Sequence, residues 1–269
     1  MKHKLSFIIF CAIFILAYSQ FNKPLNKTEN INIVSTSTVE SSKTISEDSK
    51  PDNPKTSPSP TKPSLPSSVN LKISFISQAP LFNWDDLHND ACEEAAILNV
   101  ISYLNNQTLS AKDADQELIN MVRWQEENFG GHYDLPMEKV KEFIDGYYSN
   151  EGGLASFIKY DISIDSIKYE LVAGNPVIVP AAGRSLGNPN FRQPGPVYHM
   201  LVIRGYDDRK GEFITNDVGT RKGEGYRYKY QKLYEAIHDM PKWQQNKSTL
   251  DANPEMIFEG KKAMIVIDK

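Results

Sequence analysis

The stretch DACEEAAILNVISYL, residues 90–104, decides the fold that we predict for this chain and the chemistry that we expect of it. Its apolar residues recur at three- and four-residue spacing, which predicts an amphipathic helix. Asp90 and Glu93 fit a capping box at the start of this helix, so Cys92 is expected in the first helical turn. The positive end of the helix dipole favours a thiolate there, and the unpaired backbone N–H groups can bind an oxyanion.

Cys92 on its own is ambiguous. The carboxylates of Glu93 and Glu94 are expected to raise the pKa of its thiol, because a nearby negative charge disfavours the thiolate. A reactive thiol at this position therefore needs an imidazolium partner. An inert buried cysteine is the alternative interpretation.

The candidate partner is His199, which stands at the start of a strongly apolar predicted strand, residues 198–206. A strand inside a sheet holds a base rigidly. Residues 211–216 predict the next strand, and a hairpin between the two strands would bring Asp217 back beside His199. Asp217 could then orient the imidazole ring and stabilise its cation. A packed core histidine and an ordinary turn aspartate are the alternatives.

The other segments predict an α+β fold, in which N-terminal helices pack on an antiparallel β-sheet. Helices are predicted over residues 110–126, 136–147, 164–173 and, as a short one, 233–239. Strands are predicted at residues 73–77, 177–179, 198–206, 211–216, 226–230 and 263–267. Because most helices precede most strands, the pattern favours a segregated α+β arrangement over alternating β–α–β units.

The composition fits a globular protein without a basic footprint for nucleic acid. Of the 269 residues, 40% are hydrophobic and 24% are charged, and the net charge is −4. We therefore predict no nucleic-acid partner. Cys92 is the one cysteine after residue 20, so we predict no internal disulfide. The segment around His132, residues 130–134, offers no second His or Cys at ligand spacing, so we predict no metal site, and we predict no cofactor.

The N-terminal segments differ from the rest of the chain. Residues 1–20 contain an apolar run of fourteen residues, from Leu5 to Tyr18. This run is shorter than the roughly 20 residues of a spanning helix, so it predicts a signal peptide, with an uncleaved N-terminal membrane anchor as the alternative. Residues 21–70 include seventeen Ser or Thr and seven Pro, which predicts a disordered linker. Residues 71–269 are then the folded, exported domain.

Four motifs stand in order along the domain: Gln78, DACEEAA at residues 90–96, YHMLVIRGYD at residues 198–207 and ITNDVGT at residues 214–220. Together they resemble the papain-like double-glycine leader peptidases, which are family thirty-nine of the cysteine peptidases, in their stand-alone secreted branch. The resemblance covers about residues 73–268. It implies a papain-like cysteine peptidase fold.

The resemblance also implies roles for individual residues. Cys92 is expected to be the nucleophile, His199 the base and Asp217 the residue that orients the base. Gln78 is expected to contribute to an oxyanion hole together with the backbone N–H of Cys92.

The sequence departs from the family pattern at three places. Glu93 follows the cysteine where Gly is common, Val218 stands where Pro is common, and Gln78 lies further from Cys92 than in the transporter-linked members. The last departure leaves Asn83 or Asn89 as alternative oxyanion donors. Further along the same segments, Trp84 and Asn216 are the candidate residues of the substrate cleft.

These features predict a monomeric cysteine peptidase that hydrolyses peptide or other amide bonds at the cell surface or outside the cell. Its partner would be a peptide or protein substrate, including cell-wall peptide, and it would contact a membrane only through its N-terminal segment. A double-glycine leader substrate does not carry over, because no transporter domain accompanies the peptidase motifs. Two alternatives stay open, a cell-wall amidase or endopeptidase and a tethered, non-catalytic peptide-binding module on the same fold.

Overall fold

The computed structural model describes residues 64–149, 152–241 and 247–269. The α-helices in these ranges are α1 (Asp86–Asn89), α2 (Cys92–Leu104), α3 (Ala111–Phe129), α4 (Met137–Tyr147), α5 (Ile164–Ala173), α6 (Gly183–Leu186), α7 (Tyr230–Ala236) and α8 (Lys247–Ala252), and a 3₁₀ helix spans Pro254–Glu259. The strands are β1 (Ser68–Asn70), β2 (Ala155–Tyr160), β3 (Val177–Ala182), β4 (Tyr198–Asp207), β5 (Glu212–Asn216), β6 (Tyr226–Lys229) and β7 (Ala263–Asp268).

The strands form one antiparallel sheet in the order β2-β7-β3-β4-β5-β6, and β1 pairs with the C-terminal end of β4. Helices precede most of the strands, so the predicted α+β class is confirmed. The predicted hairpin of β4 and β5 is also confirmed, with Val202 opposite Asn216 at its open end. This pairing places the residue that follows β5 near the start of β4.

The sheet is covered on both faces, which explains why its central strands are continuously apolar. Met200 and Val202 of β4 pack in one core with residues of α2, α3 and α4. Leu201 and Ile203, which point to the opposite face, pack in a second core with residues of α5 and α7. The helix α2 is buried from Cys92 to Ser102, so its first turn lies against the sheet.

The strand predicted at residues 73–77 is wrong. Side chains, and not a neighbouring strand, satisfy the polar backbone groups of this segment. Asn99 of α2 accepts from the N–H of Ile76 at 3.3 Å and donates to its carbonyl at 2.8 Å. Arg204 donates to the carbonyl of Ile73 at 3.0 Å. A short alternating pattern cannot distinguish a strand from an extended segment that is held in this way.

The described part of the chain starts before the predicted domain does. Ser68–Asn70 form β1, although we assigned residues up to 70 to a linker. Three strand residues are too few for a periodicity signal. The predicted signal segment, residues 1–20, and the linker up to residue 63 lie outside the described residues. In the ranges that are described, no helix is long and apolar enough to cross a membrane.

Candidate active site

Cys92 is the first residue of α2 and is 4% exposed. The predicted capping box is wrong, because the N-cap is Ala91 and it makes no side-chain cap hydrogen bond. Asp90 instead ends α1, where its N–H donates to the carbonyl of Leu87, and the side chain of Glu93 turns into the core. The first-turn position of Cys92 is nevertheless confirmed, and its backbone N–H belongs to the turn whose donors have no partner within the helix.

The Cys92 thiol donates a hydrogen bond to Oε2 of Glu93, 3.1 Å away. The backbone N–H of Met200, the residue after His199 on β4, also hydrogen-bonds the sulfur. Burial, followed by the negative charges of Glu93 and Asp134, raises the pKa of the thiol well above its ordinary value. In this arrangement Cys92 is therefore a protonated thiol.

Glu93 is fully buried, and its Oε1 accepts the N–H of Leu135 at 2.8 Å. Burial, together with the charges of Asp134 and Glu94, raises the pKa of Glu93 well above its ordinary value. The ligand-type atoms of Cys92, Glu93 and Asp134 lie within 4.8 Å of one another, so this group could hold a cation. Spacing along the sequence gave no sign of the group, because Asp134 comes from the separate segment that leads into α4.

His199 and Asp217 form a second buried pair. Nε2 of His199 lies 2.8 Å from Oδ1 of Asp217, and their side chains are 2% and 0% exposed. The β4–β5 hairpin brings the two residues together, as predicted. Since Nε2 faces the carboxylate, Nδ1 is the ring nitrogen that remains to exchange a proton with a reacting group.

Asp217 has two further partners that sequence reasoning missed. Its Oδ2 accepts from the Tyr228 hydroxyl at 2.5 Å and from the Asn188 amide at 2.9 Å. Burial alone would raise the pKa of Asp217, but the charge and hydrogen bond of His199, with those two donors, hold it below its ordinary value. Asp217 is therefore an ionised carboxylate that can stabilise a protonated imidazole.

The faces of the His199 ring are packed closely. Phe191 makes an edge-to-face contact with it, with the ring centroids 5.3 Å apart. A Cβ atom added at Gly219 would lie 2.8 Å from Cε1 of His199. Glycine is therefore required at this position, two residues after Asp217, for the backbone to approach the ring.

Cys92 and His199 line one cleft of about 790 Å³. Its walls come from Trp84 and the region of α1, from residues 190–198 and from residues 219–221. Among the described residues, no hydrogen bond joins the Cys92 sulfur to His199, because the thiol is turned to Glu93. The two side chains therefore line the same cleft, but Cys92 is hydrogen-bonded to Glu93 and His199 to Asp217.

Of the two residues predicted to line the cleft, the structure places only Trp84 there. Asn216 is fully buried and lies outside the set of cleft-lining residues. Its Nδ2 donates to Oδ1 of Asn99 at 3.0 Å, and its Oδ1 accepts from Arg204 at 3.2 Å. Asn216 ends β5 with its side chain directed at α2, and this orientation explains why the prediction fails for it.

Gln78 lines the cleft beside Cys92, and its backbone N–H donates to the carbonyl of Val218, next to Asp217. Its side-chain amide donates to the carbonyls of His88 and Asn89 at 2.7 and 3.0 Å. Both amide hydrogens are therefore used by the end of α1. The two alternative donors lie in different places. Asn89 lines the cleft, whereas the side-chain amide of Asn83 contacts the ring of His88.

A second buried histidine fixes the segment that precedes Cys92. The ring nitrogens of His88 lie 2.6 Å from Oδ1 of Asp85 and 3.1 Å from Oδ1 of Asp115 on α3. These contacts tie α1 to α3. Because Gln78 donates to the carbonyl of His88, they also hold the position of Gln78.

Comparison with known proteins gives a family match and two similar structures. The profile of the Peptidase_C39 like family matches residues 71–250. A proposed C39-like peptidase from Bacillus anthracis is 16% identical over 75% of this chain and 98% of its own, with a TM-score of 0.46. Xylellain, a cysteine protease from Xylella fastidiosa, is 14% identical over 77% of this chain and 87% of its own, with a TM-score of 0.39. No protein in a comparison with curated sequences matches.

Proposed function

Because this chain belongs to the Peptidase_C39 like family and is a cysteine peptidase with the α+β, papain-like fold of that family, we propose that it cleaves peptide bonds with Cys92, His199 and Asp217. One observation carries the assignment of these residues. The buried pair of His199 and Asp217, 2.8 Å apart, opens onto the cleft that contains Cys92.

The reaction begins with a turn of the Cys92 side chain from Glu93 towards Nδ1 of His199. The thiol proton moves to Nδ1, and the ionised Asp217 stabilises the resulting imidazolium through Nε2. The thiolate attacks the carbonyl carbon of the substrate, and the carbonyl oxygen becomes an oxyanion that the backbone N–H of Cys92 can bind. Gln78 joins this oxyanion hole only if its amide releases a carbonyl of α1.

The second half of the reaction returns the enzyme to its starting state. The imidazolium of His199 donates its Nδ1 proton to the leaving amine, and a thioester on Cys92 remains. His199 then takes a proton from water, whose oxygen attacks the thioester carbonyl. Collapse of this second oxyanion releases the carboxylic acid and regenerates the thiol, with the proton that His199 had held.

We place this activity outside the cytoplasm, with a peptide or protein as substrate. The support is the N-terminal sequence, in which the apolar run from Leu5 to Tyr18 resembles a signal peptide. Detection of the protein in culture medium or in a surface-protease-accessible fraction would agree with this location. Recovery only from the cytoplasm would contradict it.

A defined peptide mixture tests the activity. The wild-type chain should generate new amino termini, which mass spectrometry identifies, and Cys92→Ala and His199→Ala should generate none. Cys11→Ser is the matched control, since it removes the other cysteine and should leave cleavage unchanged. Cleavage by Cys92→Ala at the wild-type rate would remove Cys92 from the mechanism.

Two alternatives are separated by the same set of proteins. Purified cell-wall fragments that are cleaved faster than the peptide mixture would favour a wall amidase or endopeptidase. Peptide binding that is equal in wild type and Cys92→Ala, without cleavage by either, would favour a tethered binding module.

A further inference from the structure

The geometry points to Asn188 and Tyr228 as positioning residues that connect one wall of the substrate cleft to Asp217. This inference rests on the proposed function of His199 and Asp217. It assigns roles to two residues that touch neither the substrate nor the reacting atoms.

The carboxylate of Asp217 has its acceptor positions filled by four donors. Oδ1 lies 2.8 Å from Nε2 of His199 and 3.3 Å from the backbone N–H of Gly219. Oδ2 accepts from Tyr228 at 2.5 Å and from Asn188 at 2.9 Å. A carboxylate offers about four lone-pair positions, so this one has a single orientation in which all of its donors are satisfied.

Tyr228 reaches Asp217 from β6, the strand at the edge of the sheet. Its side chain is 4% exposed, and its hydroxyl also accepts from the Asn188 amide at 2.9 Å. Besides His199, the titratable groups that face Asp217 are Tyr228 and its neighbour Tyr226. The two donors on Oδ2 thus act on the carboxylate oxygen that His199 does not contact.

Asn188 connects this network to the cleft. Its Oδ1 accepts from the backbone N–H of Asn190 at 2.9 Å and from the Asn190 amide at 3.1 Å. Its backbone carbonyl accepts from Gln193 at 3.5 Å. All three of these donors belong to Asn190 and Gln193, which line the cleft, whereas Nδ2 of Asn188 donates to Asp217. One amide group therefore orders the wall with its oxygen and the carboxylate of Asp217 with its nitrogen.

Contacts with Asp217 and contacts with the cleft wall predict separable kinetic effects. Tyr228→Phe removes one donor from Asp217 and leaves the wall intact, so kcat should fall about tenfold or more, as expected for a hydrogen bond to a charged group. KM should stay within about twofold. The acid limb of the kcat profile should move to higher pH, because the pKa of Asp217 is held down in part by this donor.

Asn188 separates the two functions further. Asn188→Asp keeps an oxygen for Asn190 but places a second carboxylate against Asp217, so kcat should fall while KM is retained. Asn188→Ala removes both ends, so kcat should fall and KM should rise. The matched controls are Tyr230→Phe, which loses a 2.8 Å hydroxyl–carboxylate bond to Asp208, and Asn175→Ala, which loses a 3.2 Å amide–carboxylate bond to Glu170. Both controls should keep wild-type kcat and KM.

The experiment uses the full chain, with steady-state peptide cleavage across pH and thermal unfolding of every variant. A folded Tyr228→Phe with wild-type kcat and pH profile would overturn the inference, as would an Asn188→Asp that changes KM and leaves kcat unchanged. A readout that does not require turnover is the downfield Nε2 proton resonance of His199 in NMR spectra. We expect Tyr228→Phe to broaden or shift it and Tyr230→Phe to leave it unchanged. If no protein cleaves peptides, the proposed function fails, and an unperturbed resonance in Tyr228→Phe would separately refute the positioning role.

Discussion

The sulfur of Cys92 lies 3.1 Å from Oε2 of Glu93, the residue that follows it on α2, and donates its proton there. Both groups are buried, and Asp134 adds a further negative charge to the site. A thiolate at Cys92 is therefore disfavoured in this arrangement. The proposed mechanism requires the thiol to leave Glu93 for His199.

Replacing Glu93 by Gln should lower the pH at which Cys92 becomes reactive. The change removes a carboxylate that raises the pKa of the thiol and supplies an amide that can donate to the thiolate. Iodoacetamide alkylation, followed by intact mass across pH in a Cys11→Ser background, measures this. Glu127→Gln, an exposed substitution on α3, is the control. An unchanged or raised alkylation midpoint in Glu93→Gln would show that Glu93 does not restrain the thiol.

Gln78→Ala tests whether an amide that is already bonded to α1 contributes to the oxyanion hole. If Gln78 releases a carbonyl in the transition state, kcat should fall by about 10²–10³, the usual effect of losing such a donor. KM should change little. Asn83→Ala, which removes an alternative donor outside the cleft lining, serves as the comparison. Wild-type kcat in Gln78→Ala would exclude Gln78 from the oxyanion hole. Asn89, which lines the cleft, would then be the candidate donor beside the backbone N–H of Cys92.

Gly219→Ala should reduce kcat by about 10²-fold, because small misplacements of catalytic groups have effects of this size. The added Cβ would lie 2.8 Å from Cε1 of His199 and must displace the ring. Peptide cleavage and thermal unfolding should be measured on the same sample. Gly152→Ala is the control, since nothing lies within 4 Å of its added Cβ. Equal kcat in the two variants would mean that the close approach of Gly219 to the His199 ring is not needed for cleavage.

Asp239 should make the protein less stable as pH rises through the acid range. Burial raises the pKa of this carboxyl to about 6 from 3.8, although it accepts the N–H groups of Met137 and Met240. The stability that protonated Asp239 provides is complete below pH 3.8 and is lost as pH rises through about 6. Urea unfolding from about pH 4 to 7 should show a smaller loss in Asp239→Asn than in wild type, and the loss that remains is expected from the buried Glu93, whose pKa is also raised. Parallel curves for the two, as expected for exposed Asp86→Asn, would contradict the assignment.

The sequence predicted the elements whose signal is local. The helix that begins at Cys92 and the β4–β5 hairpin depend on periodicity and turn residues, so His199 and Asp217 could be paired before the structure was known. The extended segment at Ile73 was mistaken for a strand because its hydrogen bonds come from Asn99 and Arg204, which are distant in sequence.

The parts of the site that could not be predicted depend on contacts between separate segments. Neither the orientation of the Glu93 side chain nor its contact with Leu135 follows from the pattern at the start of α2. Asn188 and Tyr228 likewise meet Asp217 only because a loop and an edge strand converge on it. Side-chain direction of this kind is set by packing of the whole domain.

Formation of an acyl-enzyme is the most direct test of Cys92 as the nucleophile and His199 as its base. The full chain is mixed with p-nitrophenyl acetate, and nitrophenolate release and intact mass are followed together. We predict a burst of one nitrophenolate per chain with the acetyl group on Cys92, slowed at least 10²-fold in His199→Ala and absent in Cys92→Ala. A burst of equal size and rate in wild type and His199→Ala, or no acetylation of Cys92 in the wild-type protein, would contradict the account.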